Sequence, residues 1–381
     1  MLLLFIFAVG FCIYTYFLFP IFLHLKAGKA RQSDAANNSL ADLRDEELPF
    51  VSVMLAVHNE AANLPSKLES LRALDYPQER LQICVVSDGS SDDTVQYLKS
   101  QSDIVWDHYE PAAGKPTALN RAVAMATGDV LLFTDARQAV SKNAARALVS
   151  RLMDDNVGAV SGELVLSDDG ITEAANVGLY WRYEKWIRYN ESLLFSTTGA
   201  TGALYVIRRE DAIELPADTL LDDFETPINL LRQKKRTVFE PEAKAFDRAE
   251  SDSSREFTRK VRTLAGNIQS FSRNAWLFSP ASNAVWWQFL SHKVARLLVP
   301  YALLLAFIAA WIGQGWFLTT AFWLQVLFYG LGILAFLVPQ LSDMKLLNII
   351  KLFLQLNAAA VIGTFRYIAG RSSVTWKGRS A

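Results

Sequence analysis

The 381-residue chain is 51% hydrophobic and 20% charged, with 38 Lys and Arg against 39 Asp and Glu. Near-neutral charge argues against a nucleic-acid binder, whose footprint is a basic domain. Two cysteines, Cys12 and Cys84, rule out a disulfide scaffold and a Cys-rich zinc site. The neutrality is an average over unlike parts. Residues 34–291 hold 27 bases and 38 acids, a net of −11, whereas 1–33 carry three bases and no acid, and 292–381 carry eight bases and one acid, Asp343. The length leaves room for one ordinary domain, alone or with a smaller appendage.

Residues 1–25 contain no Asp, Glu, Lys or Arg. At about 1.5 Å per residue a helix of that length crosses a hydrocarbon core of about 30 Å. An uncleaved anchor is expected rather than a signal peptide. The start has no basic n-region, the apolar run outlasts a typical h-region, and no small-residue cleavage site precedes the charges. Lys26, Lys29 and Arg31 then place the following chain in the cytosol by the positive-inside rule. Residues 26–48 read as a polar linker or short helix.

From Pro49 the pattern is that of an α/β body. Val51–Val57 reads as a buried strand ending in His58-Asn59-Glu60, followed by a helix over 61–74. Leu81–Val86 reads as a second strand ending at Ser87-Asp88-Gly89, with Ser91-Asp92-Asp93-Thr94 opening another helix. Val130–Phe133 is a third strand, ending at Thr134-Asp135. Strands alternating with helices predict a largely parallel sheet. Asn59-Glu60, Asp88 and Asp135 each lie past the carboxyl end of a strand, the edge where open α/β sheets bind ligands. One such acid is ordinarily a helix cap; three in successive units point to a site. Neither a dinucleotide fingerprint nor a Walker lysine motif is present. An acidic site that accepts an anionic nucleotide needs Mg²⁺ or Mn²⁺, or placed bases such as Lys115 in Ala113-Gly114-Lys115-Pro116.

Residues 173–196 predict an aromatic amphipathic helix (Tyr180, Trp181, Trp186, Tyr189) that rests on the bilayer or packs on the sheet, with Glu184 and Arg188 as a surface pair four residues apart. Beyond the body, 276–296 reads as an interfacial helix with Trp286, Trp287, His292, Lys293 and Arg296, core packing of the Trp pair being the alternative. Within 297–345, residues 297–313 and 316–339 form an expected transmembrane hairpin. In 346–381 the apolar stretch 346–368 carries Asn348, Lys351, Gln355 and Arg366 on one stripe, the pattern of an in-plane or re-entrant helix, followed by a basic tail.

The ordered set Val57-His58-Asn59-Glu60, Val86 to Asp92, Gly114-Lys115-Pro116 with Ala118-Leu119-Asn120, Thr134-Asp135-Ala136-Arg137, Gly199 to Ala203, Leu221 to Glu225 and Arg259 to Arg262 resembles the membrane-bound family 2 glycosyltransferases. The resemblance spans about 49–275. It implies a glycosyltransferase-A (GT-A) fold with a mostly parallel, Rossmann-like sheet, and transfer of a sugar from a uridine-diphosphate donor to a glycan or lipid-linked acceptor at the inner face of the cell membrane. Val57, His58, Asn59, Glu60 and Asp88 would line the base and ribose pocket. Lys115, Asp135 and Arg137 would lie at the diphosphate, Asp135 as the ligand of Mg²⁺ or Mn²⁺. Asp223, beside Asp222, matches the general base and Arg262 the contact to the departing diphosphate. Gly199, Thr201, Gly202 and Arg259 would border the acceptor. Without the resemblance, Asp222-Asp223 reads as a helix cap.

Two positions depart from the family pattern. Arg137 stands where a second metal ligand is usual, so either another carboxylate completes the shell or Arg137 shares the neutralising role. Thr263 replaces the Trp of the Gln-x-x-Arg-Trp motif of processive synthases. A processive exopolysaccharide synthase, of the hyaluronan or poly-N-acetylglucosamine type, and a silent nucleotide-sugar-binding subunit of a secretion complex are the competing readings. Trp376, between basic residues, is a candidate flap over the site or a membrane-surface anchor.

Overall fold

The computed structural model describes residues 1–31, 43–167, 172–248, 253–338, 340–341, 344–372 and 374. Eight strands form one sheet: β1 Val51–Val57, β2 Leu81–Asp88, β3 Val105–Tyr109, β4 Val130–Thr134, β5 Ala139–Val140, β6 Val157–Ser167, β7 Leu204–Arg208 and β8 Arg236–Arg248, in the order β3-β2-β1-β4-β7-β6-β8-β5. The first four in that order are mutually parallel, while β7 runs antiparallel to both β4 and β6. All seven residues of β1 are buried, which explains why it reads as a continuous apolar run instead of an alternating one.

The helices are α1 Leu2–Lys26, α2 Leu64–Arg72, α3 Thr94–Lys99, α4 Lys115–Met125, α5 Ala144–Leu152, α6 Thr172–Leu194, α7 Asp222–Arg232, α8 Ser253–Arg273, α9 Trp286–Ile312, α10 Trp316–Leu337 and α11 Lys345–Ile368. One face of the sheet packs on α2 and α5 through Leu64, Leu68, Leu71, Leu148 and Leu152; the other packs on α4 through Ala118, Leu119 and Ala122. The expected helix over 61–74 is therefore two to three residues shorter at each end, and it starts where Pro65 suits a first turn.

Among the described residues four helices, α1, α9, α10 and α11, are long and apolar enough to cross a membrane. Small residues let α1 and α9 approach closely: Ala8 shares a buried cluster with Ala302, Ala306, Ala309 and Ala310. The outer faces of α1, α9 and α10 leave Leu3, Phe7, Trp311 and Trp316 largely exposed, an apolar surface suited to lipid. The separate interfacial helix expected at 276–296 is replaced by a short turn at Ala275–Phe278 and then by continuous helix from Trp286 into the apolar span. No helix breaker lies between 286 and 296, and the chain is held there by Trp287 Nε1 donating to Tyr14 Oη at 3.1 Å. Helix α11 lies against both α10 and α8. A Cβ on Gly332 would meet Leu354 and Ile350, and one on Gly363 would come within 2.9 Å of the Val261 carbonyl oxygen. The middle of the linker and the tail residues Trp376, Lys377 and Arg379 lie outside the described residues.

Candidate active site

The parallel register aligns the strand ends. Val57 pairs with Ser87, and Met54 with Phe133, so His58, Asp88 and Asp135 emerge along one edge. His58 Nδ1 donates to the Asp88 carbonyl at 2.6 Å. Asn59 adopts a positive φ of 54°, and its Oδ1 accepts from the Ser91 amide at 2.8 Å. Glu60 accepts from Asn63 Nδ2 at 2.6 Å, and Val57 is buried beneath them. The fully buried Asp88 carboxylate accepts from the amides of Ala113 (2.6 Å) and Gly114 (2.7 Å). Asp88 thus builds the turn that opens α4, and Gly114 has a φ of 99° there, a conformation closed to most side chains.

That turn aims Lys115 into the acidic cluster. Its Nζ lies 3.0 Å from Asp135 Oδ1 and 3.1 Å from Asp222 Oδ2. Burial works against its charge, but Asp135, Asp222 and Asp223 outweigh burial and hold the ammonium well above its usual pKa. Asp222 and Asp223 arrive as the first turn of α7. Burial, then the neighbouring Asp222, raise Asp223 to about 6 against the opposing charges of Lys115 and Arg188. A carboxylate poised near the working pH is suited to accept a proton.

Strand β7 begins beside the end of β4, with Thr134 paired to Leu204, so the loop 199–203 lies between Asp135 and Asp223. The Ala200 amide donates to the Asp223 carbonyl at 2.8 Å, and the Gly202 amide to Asp223 Oδ2 at 3.2 Å. A Cβ at Gly202 would stand 2.9 Å from that oxygen; glycine is what lets the loop touch the carboxylate. Gly199 lies against the Asp223 backbone, where a Cβ would stand 3.5 Å from its carbonyl oxygen, and the Thr201 amide donates to Ser161 Oγ at 2.8 Å.

The remaining expected cations are placed differently. Arg137 turns to the buried Asp247 on β8, 2.6 Å away. Arg259 pairs with Glu256 one turn earlier on α8. Arg262 is exposed on the same helix. The expected surface pair of Glu184 and Arg188 is not made. Glu184 is buried and engages Arg296 and His292 of α9, whereas Arg188 turns the other way and donates to Thr201 Oγ1 at 3.0 Å. Burial favours the partners from α9 because they can follow Glu184 out of water. Near the far end of the chain, Val374 comes to 3.3 Å from where a Cβ on Gly114 would sit.

Lys67 escaped the sequence reading. It is completely enclosed under the Asp135 loop, and its Nζ donates to Thr134 Oγ1 and the Gln138 carbonyl, both at 2.7 Å. Its signal was positional: a lysine on the Leu64, Leu68, Leu71 stripe of α2 faces inward. Burial, partly offset by Asp135, lowers its pKa to about 7. The unfolded chain holds this proton up to about pH 10.4, so between about 7 and 10 the unfolded state binds more protons and stability rises with pH. Lys67→Met is expected to flatten that rise in urea titrations across this range, and to loosen the Asp135 loop by loss of both hydrogen bonds.

Among the described residues no three His, Cys, Asp or Glu side chains gather as a metal-binding group. Asp135 and Asp222 nevertheless converge on one cation, and Asp222 Oδ2 is buried without a hydrogen bond. Two such carboxylates fit Mg²⁺ or Mn²⁺ when substrate phosphates complete the shell.

The sequence profile described as Glycosyl transferase family 2 matches residues 52–215. The chain is 36% identical over 126 residues to the probable glycosyltransferase YdaM of Bacillus subtilis (strain 168), covering 31% of this chain and 30% of that protein. It is 30% identical over 129 residues to the poly-beta-1,6-N-acetyl-D-glucosamine synthase of Staphylococcus aureus (strain COL), covering 33% and 31%. The matches thus span about a third of the length of these curated relatives. The solved mannosyltransferase PcManGT from Pyrobaculum calidifontis, in complex with GDP-Man and Mn²⁺, superposes with a TM-score of 0.70 at 20% identity, covering 97% of this chain and 99% of that one. That overlap reaches from the apolar N-terminal helix through the sheet to the C-terminal helices. The strand-end acids, the acidic α7 and this GT-A architecture thus lie in one molecule whose residues 52–215 match glycosyltransferase family 2.

Proposed function

We propose that the chain is a membrane-anchored, inverting transferase that moves a sugar from a uridine-diphosphate donor to a glycan or lipid-linked acceptor at the cytosolic membrane face. The observation that carries it is Asp223, held by the Gly202 amide on one side and facing the Lys115–Asp135 pair on the other. Asp223 takes the proton of the acceptor hydroxyl as that oxygen attacks the anomeric carbon. Lys115, held between Asp135 and Asp222, lies where negative charge grows on the departing diphosphate. His58 to Glu60, above Val57, form the wall of the base pocket; Asp88 acts there by shaping the Gly114–Lys115 turn. Arg262, exposed on α8, reaches the diphosphate once donor is bound, and Arg137 and Arg259 border the cleft. Asp135, with Asp222 beside it, would hold Mg²⁺ or Mn²⁺, which would supply further positive charge to the leaving group.

The domain limits suit this reading: an anchor over 1–25, the transferase body over 49–275, and membrane-associated helices beyond. The contacts of Gly363 with α8 and of Val374 with Gly114 support an in-plane α11 that returns the tail to the catalytic side. Processive polymer synthesis is favoured by the likeness to the poly-N-acetylglucosamine synthase, but Thr263 is exposed on α8 and offers no aromatic platform. A silent subunit of a secretion complex has no need of a carboxylate poised like Asp223.

Purified protein in detergent is expected to release nucleoside diphosphate from a uridine donor in a panel of UDP-glucose, UDP-N-acetylglucosamine, UDP-glucuronate and GDP-mannose, more strongly with membrane-lipid extract, and to stop with chelator. Release from GDP-mannose alone overturns the uridine assignment. Release indifferent to chelator moves the leaving-group role to Lys115 and Arg262.

A further inference from the structure

Lys115 and a divalent ion have one place to share. The Lys115 Nζ stands 3.0 Å from Asp135 Oδ1 and 3.1 Å from Asp222 Oδ2, so the two carboxylates that fit Mg²⁺ or Mn²⁺ already converge on an ammonium. A Mg²⁺ ion lies about 2.1 Å from each ligand oxygen, which leaves no room for that ammonium between the two. The backbone delivers the lysine there. Asp88 accepts from the Ala113 and Gly114 amides, and Gly114, with its φ of 99°, turns the chain into α4, whose first residue is Lys115.

The ammonium answers the pair incompletely. The Asp222 side chain is 8% exposed, and its Oδ2 is buried without a hydrogen bond, so Lys115 meets it as a charge alone. Asp223 adds a third negative charge that acts on the same ammonium. Arg137, the other base expected at the diphosphate, is turned to Asp247. Two carboxylates make a sparse shell for Mg²⁺ or Mn²⁺, which are usually completed by substrate phosphates. A diphosphate changes both sides of the balance. It brings oxygens to the ion, and it offers the lysine, a point charge on a flexible four-carbon stem, a second anionic partner.

We propose that Lys115 is the resident cation of the Asp135–Asp222 pair and yields that place to a divalent ion when a nucleoside diphosphate draws its ammonium onto the phosphate oxygens, a reading that rests on the assignment of this cleft to a nucleotide sugar. One lysine then serves two partners in turn. In the nucleotide-free chain it keeps the acids from facing one another unanswered; with donor bound it meets the leaving group.

The test titrates Mn²⁺ into the full chain in detergent, with free Mn²⁺ read by electron paramagnetic resonance. Without nucleotide, Lys115→Met is expected to bind Mn²⁺ at least about tenfold more tightly than wild type, since a competing unit charge is removed at close range. Adding Asp222→Asn to that variant is expected to abolish the gain, which locates the ion at the pair. Arg137→Gln is expected to change Mn²⁺ affinity by less than about threefold, the modest effect of a partly exposed charge. Cooperative melting reports folding, and Lys115→Gln repeats the comparison if Lys115→Met does not melt cooperatively. Saturating uridine diphosphate is expected to close the gap between wild type and the Lys115 variant. Equal affinities without nucleotide, an equal gain in Arg137→Gln, or a gain that survives Asp222→Asn overturns the proposal. A gap that persists under saturating uridine diphosphate overturns the exchange. Failure of uridine diphosphate to bind, with the nucleotide-free gap intact, condemns the nucleotide reading and leaves the competition at the carboxylates standing.

Discussion

Asp223→Asn is expected to lower sugar transfer by about 10²–10⁴-fold, the usual contribution of a positioned general base, while donor binding stays normal. Asparagine keeps the shape and can still accept from the Gly202 amide, so the change removes proton acceptance and little else. The wild-type rate should fall as pH drops through about 6, where burial and Asp222 place the titration of this group, and the variant's residual rate should lack that limb. The linkage sign separates chemistry from unfolding. A carboxyl raised in the folded state contributes stability below its unfolded pKa of about 3.8 that is lost as pH rises through about 6. At neutral pH, Asp223→Asn should therefore unfold no more readily than wild type. Wild-type turnover by this variant would sink the base assignment.

Lys115→Met carries the second large effect, through both stability and catalysis. Its ammonium is 18% exposed between Asp135 and Asp222, which are 35% and 8% exposed. Removing one partner of a buried pair strands the others, typically at a loss of about 3–5 kcal/mol; the wetter Asp135 puts the expected loss near the lower figure. Turnover should fall by about 10²–10³-fold if this charge meets the leaving diphosphate. Lys115 also lowers Asp223, so its removal should push the acid limb of the pH–rate profile upward. Calorimetry and pH–rate profiles check the two parts separately. An unchanged profile with an unchanged melting temperature would show that Lys115 is a solvated lysine of no consequence to the cluster.

Much of this site is written locally. Val51–Val57, Leu81–Asp88 and Val130–Thr134 announce buried strands by composition, and a parallel sheet lines up whatever follows their carboxyl ends, so the sequence alone gathers His58, Asp88 and Asp135 at one edge. The apolar helices are equally legible, because spanning a bilayer is a matter of length and charge. Helix runs unbroken from Trp286 past 296, where the polar residues His292 and Arg296 pair with Glu184 and Glu191.

What escaped the sequence was the choice of partner. Glu184 and Arg188 sit at helical spacing, and local rules join them; packing of α9 on α6 separates them and leaves Arg188 facing Thr201. Asp88, expected to hold a nucleoside, spends its carboxylate on two amides 25 and 26 residues away. Arg137 finds Asp247, 110 residues on. The sequence by itself determined the strand-end acids, the sheet class and the apolar ends, since each depends on neighbours within a few residues. The acidity of the body, 38 acids against 27 bases over 34–291, was legible too. Only the tertiary structure decided which bases answer which acids, because Coulomb and desolvation energies act through space and are set by burial that distant segments create together.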